Sequence, residues 1–119
     1  MNTIRWINTL PKRLTHILQI SYGKEYIYNF DLANQATRNS IEMWKKRQKD
    51  HFIPLPPNQG EVIAEAPLDF GDEFALQYLG FQWGNSKEHS ELLQKHNNLG
   101  IGFALDSWRN VLYATVRLG

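Results

Sequence analysis

The sequence predicts an α+β fold: a three-layer α/β/α sandwich with helices on both faces of a small, mainly antiparallel sheet. Three observations predict it. Leu99, Ile101, Phe103 and Leu105 alternate with Gly100, Gly102 and Ala104, which describes a strand with one bulky face and one nearly bare face. Bare positions inside a strand mark the close approach of another element, and the bulky face needs cover of its own. A long helical pattern over residues 32–49 carries Ala33, Ala36, Ser40, Met43 and Trp44 along one side, most of them small enough to lie close against a sheet. Two further helical stripes, at residues 14–18 and 74–81, supply the opposite layer.

Taken in order, residues 1–8 read as a short arm with no assigned structure. A helix follows from Thr9. Pro11 fits its first turn, Leu14, Ile17 and Leu18 form an i, i+3, i+4 stripe, and Tyr22-Gly23 ends it. Residues 26–30 are an aromatic connection, after which Asp31 is the expected N-cap of the long helix. Lys45, Lys46, Arg47 and Lys49 lie in that helix's last turns, where cations complement the helix dipole. Ile53-Pro-Leu-Pro-Pro57 cannot continue a helix and must turn. Residues 61–66 set Glu61, Ile63 and Glu65 against Val62, Ala64 and Ala66, a strand that residues 67–71 break. A helix from Asp72 is expected to place Phe74, Tyr78, Leu79 and Phe81 on its apolar face. Ser86, after Gly84-Asn85, is placed to cap a helix that carries Leu92 and Leu93 inward and that Asn97-Asn98 closes. The strand over 99–105, a turn over 106–110 and a return strand over 111–118 make a hairpin.

The chain of 119 residues reads as one domain, 1–119, able to bury a single core without disulfides. It has no cysteine, which excludes structural disulfides, thiolate metal sites and cysteine nucleophiles. A formal net charge of +1 leaves no electrostatic footprint for nucleic acid. No apolar run approaches the ~20 residues that span a bilayer, and the first residues lack a signal-peptide h-region.

Three blocks follow one another near the C-terminus: Trp83-x-x-Ser86-x-x-His89, Leu99-Gly-Ile-Gly-Phe-Ala104, and Tyr113-Ala-Thr-Val-Arg-Leu-Gly119. Upstream stand Asp50-His51-Phe52 and Gly60-Glu61-Val62-Ile63. In this order and spacing the chain resembles the CAP (SCP-like) superfamily, the cysteine-rich secretory, antigen 5 and pathogenesis-related proteins, and among them the cysteine-free bacterial members. The resemblance implies the same sandwich and a cleft lined by His51, Glu61, His89 and Ser86. It also implies that His51, His89 and Glu61 can hold a divalent metal. Two neutral imidazoles and a carboxylate with an open water position suit zinc. Val62 stands where the motif has Asn, and Ser86 where eukaryotic members have a second acid, so three protein ligands are the most the cleft offers.

Plainer readings stand beside these: His51 as a helix-end cation, His89 as a first-turn histidine, Glu61 as a surface strand residue, Ser86 as a helix cap. The first turn of a helix disfavours an imidazolium, so His89 is expected to be neutral near pH 7. The family is mostly exported, which implies a secreted or periplasmic protein, with a cytoplasmic one left open by the missing leader. The implied function is a non-catalytic cleft domain, monomer or weak dimer, that binds a ligand, lipid or protein partner. A metal-assisted hydrolase using the same cleft is the alternative, and a purely structural interaction domain is the third reading. No G-x-S-x-G elbow surrounds Ser86 to favour a serine hydrolase.

Overall fold

The structure, a computed structural model, describes the backbone of residues 3–119 and the side chains of residues 5–119. In chain order the elements are α1 (Thr3–Asn8), α2 (Leu10–Tyr22), β1 (Ile27–Tyr28), α3 (Phe30–Lys46), β2 (Gly60–Pro67), α4 (Asp72–Gly84), α5 (Lys87–Lys95), β3 (Asn98–Asp106) and β4 (Val111–Leu118). The sheet runs β1-β3-β4-β2. The short β1–β3 pairing is parallel, and β4 pairs antiparallel with both β3 and β2. The fold is the mixed three-layer sandwich the sequence predicts.

The two sheet faces are covered by different means. Leu14, Leu18, Leu76, Leu79, Trp83 and Leu93, drawn from α2, α4 and α5, pack on Val62, Ala64, Leu99, Ile101, Leu112, Ala114, Val116 and Leu118. On the other face α3 lies almost in backbone contact with β3. A Cβ on Gly100 would stand 2.0 Å from the Ala33 nitrogen, and one on Gly102 would stand 2.2 Å from the Thr37 nitrogen. Only glycine admits that approach. Ala33, Ala36 and Ser40 are buried there, and the Ser40 hydroxyl donates to the Gly102 carbonyl at 2.8 Å.

Several expectations are corrected. The expected arm of residues 1–8 contains α1 over its described part, because Trp6 is buried and meets Phe103 edge-on with ring centroids 5.0 Å apart. Residues 1 and 2 lie outside the described residues. Asn29, not Asp31, caps α3: its side chain accepts from the Leu32 amide at 2.9 Å. Asp31 falls in the first turn, where its charge suits the dipole. That helix stops at Lys46, since Arg47 turns left-handed at φ 47°.

Trp44, Phe74 and Phe81 are exposed, against expectation. The buried stripe of α4 is instead Ala75, Leu76, Leu79 and Trp83. That stripe sets the flank of α4 holding Gly80 against α2, where a Cβ on Gly80 would come within 3.2 Å of Ile17. Helix α5 ends in extended backbone at His96 rather than in a left-handed Asn. Asn98 is already needed for β3, exchanging backbone hydrogen bonds with Gly119 at 3.0 and 3.1 Å.

Candidate functional site

Position 51 follows α3, and a buried asparagine holds it there. Asn39, fully buried on α3, donates to the Asp50 carbonyl at 3.1 Å and accepts from the Phe52 amide at 2.6 Å. The main chain on either side of His51 is thereby fixed to the helix. Asn39 in turn donates to Thr115 Oγ1 at 3.2 Å, tying this segment to the centre of the sheet.

Below it, Glu61 on β2 is paired in register with Arg117 on β4. Both side chains are essentially sealed from water, at 0% and 1% exposure. Arg117 Nε donates to Glu61 Oε1 at 3.2 Å, while its other nitrogens donate to the Pro54 and Ile53 carbonyls at 3.0 and 2.9 Å. One guanidinium therefore neutralises the carboxylate and clamps the proline-rich loop. Such a buried charge pair is tolerated because each partner's remaining hydrogen-bonding capacity is used.

The second oxygen of Glu61 stands 2.6 Å from His51 Nδ1. Glu61 pushes the His51 pKa up against the opposing pull of partial burial. A proton on Nδ1 directed at the carboxylate leaves Nε2 free of Glu61. The carboxylate favours the charged form of His51, whereas the form expected to bind a metal is the neutral imidazole. Nor is Glu61 the surface strand residue of the plainer expectation, because it lies buried under Arg117 and His51.

His89 lies in the first turn of α5, at least partly exposed. Its pKa is lowered, first by burial, with Glu88 opposing and the charges of His51 and Lys49 adding to the fall. The expected neutrality has the right direction, with burial as its leading cause. Ser86 caps α5, accepting from the His89 amide at 3.4 Å, so its hydroxyl is engaged with the backbone. Trp83 of the same motif is fully buried, and its indole donates to the Ile63 carbonyl at 3.1 Å, closing the outer edge of β2.

His51 thus follows the α3 layer and touches β2 through Glu61, and His89 stands in the first turn of α5. The structure joins His51 to Glu61, and the charge of His51 adds a minor part to the lowering of the His89 pKa. Among the described residues, no group of three or more His, Cys, Asp or Glu side chains is placed to hold a metal ion. Glu61 spends both oxygens on Arg117 and His51, so it orients an imidazole. The helix-end histidine, His96, and the α2 histidine, His16, take no part.

Sequence pattern alone missed Arg117 and Asn39. The signal for Arg117 was a cation in a strand otherwise built for the core, opposite an acid once the strands are paired. Also missed was a groove of about 970 Å³ at the far edge of the sheet, whose lining includes Trp6, Tyr28, Thr37 and Phe103.

No profile of a known protein family matches the sequence. Among curated proteins, the mitochondrial valine–tRNA ligase of Saccharomyces cerevisiae is 34% identical over 62 residues, 50% of this chain, and the chain spans 6% of that protein's length. Among solved structures, an outer surface protein of Borrelia burgdorferi superposes with a TM-score of 0.72 at 18% identity, covering 100% of this chain and 95% of its own. Venom allergen-like protein 4 of Schistosoma mansoni does so with a TM-score of 0.66 at 11% identity, covering 93% of this chain and 88% of its own. No helix among the described residues is long and apolar enough to cross a membrane. These likenesses show the fold: a CAP-like α/β/α sandwich, here in a chain without cysteine.

Proposed function

We propose that the protein is a non-catalytic CAP-like cleft domain that binds a ligand between His51 and His89, and that these two imidazoles take up a divalent metal ion there. The observation that carries this reading is the 2.6 Å contact of His51 Nδ1 with a carboxylate that is itself locked by a buried arginine. A histidine whose far nitrogen is fixed by a carboxylate is the arrangement that orients and strengthens an imidazole ligand. Glu61 would act through His51, and His89, kept neutral by burial, would supply the second nitrogen. Water or a ligand group would complete a tetrahedral zinc site. Because the metal must displace the Nε2 proton of the imidazolium that Glu61 favours at His51, while the Nδ1 proton stays directed at the carboxylate, affinity falls as the solution is acidified.

Isothermal titration of zinc into wild type and the His51→Ala/His89→Ala double variant tests this. Wild type should bind one zinc and the double variant none. Equal binding by both would end the metal reading and leave a cleft for an organic ligand.

One observation favours a second reading. The pKa values of His51 and His89 are pushed in opposite directions, which is how a site holds an acid and a base at one pH. Hydrolysis of a peptide or ester that disappears both with His89→Ala and with chelation would select that reading.

A further inference from the structure

At the other end of the sheet from His51, strand β3 is an edge for most of its length. β1 covers only its start, pairing Ile27 with Asn98 and Tyr28 with Leu99. The hydrogen bonds show which residues turn toward this edge. Ile27 donates to the Asn97 carbonyl and Asn29 to the Leu99 carbonyl, both at 2.8 Å. The Tyr28 hydroxyl then stands 3.3 Å from both the nitrogen and the oxygen of Ile101, filling the next position of the ladder with a side chain. The backbone groups of odd-numbered residues therefore face outward, since they alternate along a strand. The amide and carbonyl of Phe103 come next, and no strand among the described residues pairs with them.

The surrounding groove is shaped for more than one residue. α1 and α2 form one wall and α3 the other, with Trp6 and Pro11 opposite Ala33 and Thr37. The indole nitrogen of Trp6 is buried and has no hydrogen-bond partner among the described residues, although buried donors are nearly always satisfied. The exposed Lys12 and His16 stand on the α2 rim, and no carboxylate among the described residues lines the groove. Edge strands are ordinarily protected by charge, proline or a bulge. The segment Gly102-Phe103-Ala104 has none of these, and α1 covers it only in part, through the contact of Trp6 with the Phe103 ring.

We propose that this edge takes up an extended, acidic segment of a protein partner by strand addition. Main-chain bonds to Phe103 would continue the ladder that β1 begins, and alternate side chains would enter the Trp6 and Thr37 walls. Acidic side chains answer the Lys12 rim. The surface lies on the opposite edge of the sheet from His51 and His89, so it stands or falls independently of the cleft.

The test uses the ¹⁵N-labelled full chain and an N-acetylated seven-residue peptide of alternating valine and glutamate, with a valine–lysine peptide as control. The acidic peptide should shift the Trp6 indole and Phe103 amide resonances and slow hydrogen exchange at Phe103 at least tenfold. Lys12→Glu, on an exposed rim, should weaken it roughly fivefold without changing Tm. The proposal is overturned by any of three results: no shift at millimolar peptide, equal affinity for the lysine peptide, or binding without protection of the Phe103 amide. Association of the free chain through this edge, filling it with a second copy, would also overturn it.

Discussion

Placing one methyl group on Gly102 should damage the molecule more than any other single-carbon change on the sheet surface apart from Gly100. The Cβ of Gly102→Ala would lie 2.2 Å from the Thr37 nitrogen and 2.3 Å from its Cα, whereas ordinary contact begins at 3.4 Å. Helix α3 would have to retreat by about 1.2 Å, the 3.4 Å of contact less the 2.2 Å available. No rotamer change can absorb this, because the obstacle is backbone.

The retreat would stretch the hydrogen bonds that Asn39 and Ser40 make to residues 50, 52, 102 and 115, which span 2.6 to 3.2 Å. Overpacking a core typically costs ~1–3 kcal/mol, and with rigid backbone on both sides the upper figure applies. At roughly 4 °C per kcal/mol for a domain of this size, Tm should fall by about 12 °C, and further for Gly102→Val. Gly84→Ala is the control, since a Cβ there meets nothing within 4 Å. It should be neutral or stabilising by ~0.5 kcal/mol. Thermal and urea unfolding followed by circular dichroism give both numbers. A Gly102→Ala protein as stable as Gly84→Ala would refute the close helix–strand contact.

Two further outcomes follow from the site. Arg117→Met should cost about 3–5 kcal/mol in urea unfolding, because it strands the Glu61 carboxylate without its buried partner. Adding Glu61→Gln should recover part of that loss, and a loss under about 1 kcal/mol in the single variant would show that the pair is not sealed. His51 and His89 should shape stability against pH in opposite ways. The folded pKa of His51 is raised above the ordinary 6.5, so its contribution is full below that value and lost as the pH rises through the folded value. His89 is lowered, so its contribution is full above 6.5 and lost as the pH falls through its folded value. Their joint contribution should peak near the ordinary value of 6.5. His51→Ala should flatten the alkaline side and His89→Ala the acid side, and identical profiles for wild type and both variants would dismiss the assigned shifts.

What the sequence determined by itself was whatever depends on neighbours a few residues apart. Gly100, Gly102 and Ala104 alternating with large apolar residues announced a strand with a helix close above it. Ser86 three residues before His89 announced a cap, and Tyr22-Gly23 a helix end, which the structure closes with Gly23 left-handed at φ 59°. The order and spacing of the blocks around His51, Glu61, Trp83 and His89 carried a resemblance that implies the sandwich. Only the tertiary structure decided what those residues touch.

In the sequence Glu61 is either a ligand candidate or a surface acid until β4 brings Arg117 opposite it and the loop after α3 lays His51 against it. Arg117 stands 56 positions from Glu61 in the chain. Periodicity gave α4 an apolar stripe of Phe74, Tyr78, Leu79 and Phe81, yet packing against α2 and β2 buried Ala75, Leu76 and Trp83 alongside Leu79 and left Phe74 and Phe81 exposed. Trp6 had no periodic context, and α1 gains its place from contact with Phe103 at the far end of the chain. Local pattern carries propensity and face. Pairing, burial and the state of a titrating group arise from partners that only folding assembles, because desolvation and charge act through space and not along the chain.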